Sequence, residues 1–290
     1  MLIAIGFIVV LASVFGGYLL SGGSLGPIWQ PLEILMIAGA AIGAFIAGNN
    51  VKAIKAVGRS IASLKITTGY NKDTYVQLMV LLYTLLTKSK REGMKAIEKD
   101  IEKPEDSEIF KRYPKVLNDK TLVVFISDYM RMMVTGNMNP HELDELMVHE
   151  IEELEHELSL ASDALSKMAD GMPAFGIVAA VMGVVKALTY ADATAAELGE
   201  MVAHALVGTF IGILMAYGFV APLATKIDRQ IAERLKILQC VRVTLLSSLN
   251  GYQPQLACEF GRKTLHSVER PSSIELEDLI RDSKKSGSKE

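Results

Sequence analysis

MPAFGIVAAVMGVVKAL, the stretch from Met172 to Leu188, decides the fold because it is almost wholly apolar. A helix needs about 20 mostly apolar residues to cross the roughly 30 Å hydrocarbon core of a bilayer. Three further stretches meet this criterion, namely Leu2 to Leu20, Pro31 to Asn49 and Met201 to Leu223. The sequence therefore predicts an all-α integral membrane protein with four transmembrane helices.

The composition of the chain favours the same class. Of its 290 residues, 50% are hydrophobic and only 22% are charged, which is more apolar than an average soluble domain. The 30 basic and 33 acidic residues leave a net charge of -3, so nothing indicates nucleic acid as a partner. Cys240 and Cys258 fit neither a C-x-x-C pair nor a disulfide framework. The apolar start lacks a basic n-region and a cleavage site, so we interpret it as a retained helix.

The positions of basic residues predict the orientation of the helices. Short tips join the first span to the second and the third to the fourth, and neither residues 21–30 nor 190–200 contain Lys or Arg. Basic residues instead follow the second and fourth spans: Lys52, Lys55, Arg59, Lys65, Lys226, Arg229, Arg234 and Lys236. By the positive-inside rule, both tips lie outside and both termini are cytoplasmic. Membrane lipid is then the immediate surroundings of both hairpins.

These patterns divide the chain into four predicted segments. Residues 1–50 form a transmembrane hairpin, 51–170 a cytoplasmic helical domain, 171–223 a second hairpin, and 224–290 a helical cytoplasmic tail. The tail's end, from Ser283, is polar and is expected to be disordered. Within the cytoplasmic domain, apolar residues recur at helical spacing: Tyr75, Leu78, Met79, Leu82, Leu85 and Leu86. Turn signals interrupt it at Lys103-Pro104, Tyr113-Pro114 and Asn137 to Pro140. Asn139 is the expected N-cap of a long helix that continues into the third span.

Small residues recur four apart in the membrane helices. The pairs are Gly39 with Gly43, Gly176 with Ala180, Ala179 with Gly183, and Gly208 with Gly212. This spacing lets helix backbones approach closely. It fits association between chains and packing within one chain equally well.

Charged side chains are scarce in the spans, where they normally mark an ion path. The sequence places Glu33, Lys186, Glu200 and His204 near the outer ends and Asp170 at the inner end. If the protein conducts protons, the titrating carboxylate is therefore expected from another chain. Thr209 offers a hydroxyl to such a path, or else bonds to a carbonyl of its own helix.

Two prolines, Pro173 and Pro222, lie at the inner ends of the third and fourth spans. Proline interrupts the helical hydrogen-bond ladder, so both are candidate joints for conformational coupling. Pro173 could equally be the first residue of a helix.

No catalytic or cofactor motif is found. His141, His149 and His156 lie among carboxylates but form no H-E-x-x-H, and such charge density is typical of a solvated face. There is no phosphate loop and no G-x-S-x-G elbow. We therefore expect neither an enzyme, a metal site nor a bound cofactor.

Several ordered strings carry a resemblance to a known family. They include Gly16-Gly17-Tyr18, Gly22 to Gly26, Ile37 to Ala40, Gly48-Asn49-Asn50, Met172 to Val185, Val207 to Leu214, Asn250-Gly251-Tyr252 and Glu259 to Lys263. Over nearly the whole chain, the sequence resembles the motility protein A family, the stator subunits of the bacterial flagellar motor.

The resemblance implies a ring of five such subunits around two copies of motility protein B in the bacterial inner membrane. In this family the partner's single helix supplies the ion-carrying acid, ion flow is thought to rotate the ring, and charged residues contact the rotor protein FliG. Pro173 and Pro222 match the family's functional prolines, Thr209 its channel threonine and Glu98 its acidic rotor contact. Its basic rotor contact is arginine, whereas this chain has Lys90 followed by Arg91, so either residue could take that role.

We expect the coupling ion to be the proton, and we expect no cofactor besides it. Sodium needs several oxygen ligands, and Ala180 stands where sodium-type relatives carry a second threonine. One alternative is an ExbB/TolQ-like energiser of outer-membrane import or envelope maintenance, although those proteins usually lack the N-terminal hairpin. Another is a membrane-anchored scaffold or receptor, which would need no ion path.

Overall fold

The computed structural model describes residues 2–64, 70–136, 139–190 and 194–287, with residues 282–287 by their backbone alone. The helices are α1 (Leu2–Leu20), α2 (Pro31–Gly48), α3 (Val51–Ser63), α4 (Lys72–Glu92), α5 (Glu98–Glu102), α6 (Glu108–Lys111), α7 (Pro114–Leu117), α8 (Lys120–Thr135), α9 (Pro140–Leu188), α10 (Ala195–Met215), α11 (Ala221–Leu249), α12 (Pro254–Thr264) and α13 (Ser273–Gly287). A 3₁₀ turn (Met94–Ile97) precedes α5, and a π-helical segment (Ala216–Val220) joins α10 to α11. Strands are absent from these described ranges, so the all-α prediction is confirmed.

Within the part of the chain that the structure describes, four helices are long and apolar enough to cross a membrane, as predicted. The bounds of α1 are those expected, and α2 ends one residue early. The third span is the end of the 49-residue helix α9, and the fourth lies within Ala195–Leu249. Asn139 caps α9 as predicted, since its Oδ1 accepts a hydrogen bond of 3.0 Å from the His141 backbone N–H.

The chain forms two compact units. One comprises Met1–Thr67 with Glu157–Arg229 and contains the four apolar stretches, and we call it the membrane unit. The other comprises Thr68–His156 with Gln230–Glu290, and we call it the helical unit.

Inside the membrane unit, α2 packs against α9 and α10 through residues one helical turn apart. Ile37 meets Ala179 and Ile211, and one turn further along α2 a second cluster joins Ala41, Met172 and Ala216. α1 adds the ring contacts Phe15 with Phe210 and Phe7 with Phe219, at centroid distances of 6.2 and 5.0 Å. These contacts fix the position of α2 along the axis of the second hairpin.

The core of the helical unit is built around α4. The apolar residues predicted to share a face of this helix are buried, each at 0–1% exposure. α12 and α13 pack on α4. Arg242 on α11 holds Asp144 on α9 with two hydrogen bonds of 2.5 and 2.9 Å, and the Tyr129 hydroxyl donates to Glu150 at 2.5 Å. Burial and that hydrogen bond raise the pKa of Tyr129 above its usual range.

Short polar residues cap the N-termini of helices where the chain changes direction. The Asn50 side chain accepts a hydrogen bond from the Ala53 N–H at 2.8 Å, so the Gly48-Asn49-Asn50 string ends α2 and caps α3. Ser272 and Glu275 form reciprocal hydrogen bonds that start α13. From this start α13 continues to Gly287, so its helix includes the beginning of the segment expected to be disordered. Residues 288–290 lie outside the described residues, as do Lys65 of the orientation argument, Asn137 of the last predicted turn and residues 191–193 of the second tip.

Candidate functional site

The second membrane hairpin is held together by contact between two backbones. A Cβ placed on Gly176 would lie 2.8 Å from the Gly208 carbonyl oxygen, and one on Gly212 would lie 2.9 Å from the Gly176 Cα. Gly183 is equally close to Ala205. The small-residue spacing in α9 and α10 therefore serves packing within this chain. By contrast, nothing in the described structure lies within 4 Å of a Cβ placed on Gly39 or Gly43.

The two candidate ion-path residues, Ala180 and Thr209, lie on either side of this contact. A Cβ on Gly208 would be 3.3 Å from the Ala180 backbone nitrogen, and one on Gly176 would be 3.3 Å from the Thr209 Cα. Ala180 is 9% exposed and offers only a methyl group. Thr209 is half-buried, and its hydroxyl makes no hydrogen bond with the described residues, so the alternative of a bond to its own helix is not observed.

Glu33 is the residue that sequence reasoning undervalued. It begins the stripe Glu33, Ile37 and Ala41, which are the buried residues of α2. It is 8% exposed, and its Oε2 is fully buried without a hydrogen-bond partner among the described residues. The same oxygen would lie 3.0 Å from a Cβ on Gly208, the neighbour of Thr209. The i, i+4, i+8 spacing of this stripe was the available signal.

The two candidate coupling prolines have different settings. Pro173 lies inside α9, far from its first residue Pro140, so the interpretation as a helix start is wrong. A proline there leaves one carbonyl of the preceding turn without its usual donor. Pro222 is the second residue after the π-helical segment Ala216–Val220. π-helical turns insert an extra residue into a helix and are frequent at functional sites.

Of the charged residues Lys88, Lys90, Arg91 and Glu98, the last three are surface groups. Lys90 and Arg91 are exposed in its last turn, and Glu98 is exposed at the start of α5, after the turn at Gly93, which has a φ of +92°. Within the described ranges, none of the three makes an ion pair. Lys88 differs, because its Nζ lies 2.7 Å from Oδ2 of Asp100, whose other oxygen accepts a hydrogen bond of 2.6 Å from Ser107. Lys88 is therefore structural, whereas the other three charges are available.

Metal binding finds no support in the geometry. Across the residues that the structure describes, no three His, Cys, Asp or Glu side chains come together as a metal site would require. Cys240 and Cys258 are buried free thiols, and burial raises the pKa of Cys240 to about 12.

Comparison with known proteins shows to which family the chain belongs. Residues 4–93 match the model of the motility protein A N-terminal region, and residues 118–239 match that of the MotA/TolQ/ExbB proton channel family. Motility protein A of Salmonella typhimurium is 54% identical over 281 residues, covering 97% of this chain and 95% of that protein. The chain belongs to the motility protein A family.

Two solved structures of motility protein A complexes have the same fold. The Campylobacter jejuni MotAB structure matches with a TM-score of 0.76 at 20% identity, covering 93% of this chain and 98% of that one. The flagellar MotAB stator complex of Bacillus subtilis matches with a TM-score of 0.71 at 25% identity, covering 88% and 92%.

Membership of the motility protein A family makes this chain a membrane protein and a flagellar stator subunit. The family match includes the N-terminal hairpin, the feature that distinguishes motility protein A from the energiser alternative. These relatives are motor proteins and not enzymes.

Proposed function

We propose that this stator subunit couples proton flow across the bacterial inner membrane to torque on the flagellar rotor. The observation that carries the proposal is the half-buried Thr209, whose hydroxyl is unengaged by the described residues, beside a methyl group at Ala180. One hydroxyl can order a water chain for protons, whereas a dehydrated sodium ion needs several oxygen ligands. The match of residues 118–239 to the MotA/TolQ/ExbB proton channel family supports the same ion.

The proposal includes a partner that supplies the central acid. Glu33 on α2 contacts Gly208, but no carboxylate among the described residues bonds to the Thr209 hydroxyl, so a second chain with its own acid completes the path at Thr209. The two similar solved structures are of a MotAB complex, which supports such a partner. We propose a MotB-type single-span partner and the family's assembly of five subunits around two partners, with tips outside and both termini cytoplasmic. The open Gly39 and Gly43 surface is available for contact with lipid or a neighbouring subunit.

The proposed rotor contact uses the exposed charges Lys90, Arg91 and Glu98 against FliG. These side chains make no ion pair within the described structure and lie on both sides of a tight glycine turn, so they present both signs of charge on one short segment. The helical unit that carries them has a buried core.

Pro173 and Pro222 are the proposed joints through which ion binding changes helix geometry.

The test of the proton proposal is motor speed in cells that carry this subunit and its partner. Replacing sodium by potassium at fixed pH and membrane potential is expected to leave speed unchanged, and a protonophore is expected to stop rotation. Thr209→Val removes the hydroxyl at equal volume and should slow the motor, whereas the matched control Thr209→Ser should retain speed. A speed that follows sodium and survives the protonophore overturns the proton assignment.

The partner is tested separately in vesicles. Vesicles that contain this chain alone should show no sustained proton uptake, and vesicles that also contain the MotB-type partner should show it. Native mass spectrometry of the purified complex should give five copies of this chain and two of the partner. A specific, sustained current through this chain alone contradicts the need for a partner acid.

A further inference from the structure

The buried carboxylate of Glu33 plays no part in the path described so far. Its Oε2 is fully buried and lacks a hydrogen-bond partner among the described residues, although the residue lies in an apolar helix. Burying a polar group without a partner is costly, and burying an ionised one much more so. Carboxylates kept in membrane helices are usually functional for this reason. A purely structural role does not explain Glu33 either, because its carboxylate holds no other side chain in place.

Glu33 packs against α10 close to Thr209. Its Oε2 faces Gly208, the residue before Thr209, at the place where a Cβ on Gly208 would be 3.0 Å away. One turn towards the start of α10 from Gly208 is His204, which is half-buried and four residues away on the same face of the helix. One further turn out is Glu200, whose Oε1 lies 3.9 Å from Nε2 of His204. Because these positions on α10 are four residues apart, they share one face of the helix.

Few other titratable groups face this position. On α9, Lys186 is exposed near the helix end, and on α1 the titratable side chain is Tyr18, which is 40% exposed. α2 itself carries no second charged residue. His204 is therefore the group placed to exchange a proton with Glu33, and Glu200 is the group placed to act on His204.

We propose that Glu33 and His204 form a proton-exchange site that feeds the ion path at Thr209 from the outer side. His204 takes a proton from outer water at its imidazole, and the imidazolium passes a proton through an intervening water to the Glu33 carboxylate. Glu33 then gives the same proton to water beside Thr209 and returns to the carboxylate. One proton enters and one leaves, and no other bond changes. This role in transport rests on the proposed proton coupling.

The first arm of the test needs neither a variant nor rotation. Membranes that contain the intact complex are treated with dicyclohexylcarbodiimide, which reacts with protonated carboxyl groups in apolar surroundings, and the peptides are analysed by mass spectrometry. The adduct is expected on Glu33 at neutral pH, and its yield should fall as the pH is raised. Glu200, whose side chain is 71% exposed, is the internal control and should stay unmodified. Absence of the adduct on Glu33 overturns the proposal.

The second arm measures motor speed against external pH. Glu33→Gln, which keeps the shape but cannot exchange a proton, should lower speed several-fold and flatten its dependence on external pH. Glu33→Asp keeps a carboxyl and should retain part of the dependence, and His204→Gln should shift it. Membrane amounts of each variant are compared by immunoblot. Wild-type speed and pH dependence in Glu33→Gln overturn the proposal. A wild-type motor insensitive to protonophore would instead contradict proton coupling and leave the carbodiimide result as a separate finding.

Discussion

Replacing Gly176 by alanine tests the backbone contact that holds the second hairpin together. The added Cβ would lie 2.8 Å from the Gly208 carbonyl oxygen and 3.2 Å from the Gly212 Cα. Both of these neighbours are backbone atoms, so no side chain can rotate away to make room. The helices must therefore separate by about 0.5 Å, which is enough to forfeit roughly a quarter of the dispersion energy at each contact along the seam.

The expected cost follows from this overpacking. Added methyl groups in well-packed interiors destabilise by about 1–3 kcal/mol. For a chain of this size, each kcal/mol corresponds to a shift of about 2–4 °C in the midpoint of thermal unfolding. Because Thr209 follows Gly208 directly, the same separation also displaces the proposed ion path, so motor speed should fall with stability.

The measurement is the thermal midpoint of the purified complex in detergent, together with swimming in soft agar. The matched control is Gly6→Ala in α1, where nothing in the described structure lies within 4 Å of the new Cβ. This control should keep the wild-type midpoint or raise it slightly, because alanine has the higher helix propensity. If Gly176→Ala and Gly6→Ala have the same midpoint, the argument from backbone contact is refuted.

Three further predictions concern the helical unit. Glu98→Lys should impair swimming without lowering the midpoint, because exposed substitutions usually change stability by less than about 0.5 kcal/mol; normal swimming would contradict the proposed rotor contact. Asp100→Asn should instead lower the midpoint, at a cost of about 1–3 kcal/mol, because it removes the charge of the mostly buried Asp100 that pairs with the half-buried Lys88; an unchanged midpoint would show that the pair adds little. Hydrogen bonding from the buried Arg262 lowers the pKa of Glu259. The thermal midpoint of wild type should therefore exceed that of Glu259→Gln by its full margin above about pH 4.3, and the margin should shrink as the pH falls through the lowered pKa. A margin independent of pH would contradict this linkage.

Much of the fold follows from local patterns in the sequence. Apolar length alone located α1, because a membrane span must satisfy its own backbone and so has a sharply defined minimum length. The apolar residues of α4 were identified from their helical period, and Asn139 from its capping chemistry. The continuation of α13 to Gly287 was not predicted, because composition suggested a polar tail and gave no weight to the Ser272 and Glu275 capping pair.

The candidate site was less predictable because it depends on contacts between distant segments. Nothing near Lys88 in sequence shows that it pairs with Asp100, twelve residues on, while Lys90 remains exposed. The packing of Glu33 against Gly208 joins α2 to α10 across most of the chain. Spacing shows that Glu33, Ile37 and Ala41 share a face, but not which helix covers that face.

The π-helical segment before Pro222 changes the direction in which the side chains of the fourth helix point. It holds one residue more per turn than an α-helix can accommodate, so every side chain beyond it is turned by about 100° relative to an uninterrupted helix. If the surplus residue migrates along the axis, the intervening side chains change direction while both ends of the helix keep their hydrogen bonds. Such a slip would convert a small event beside Thr209 into a twist of α11.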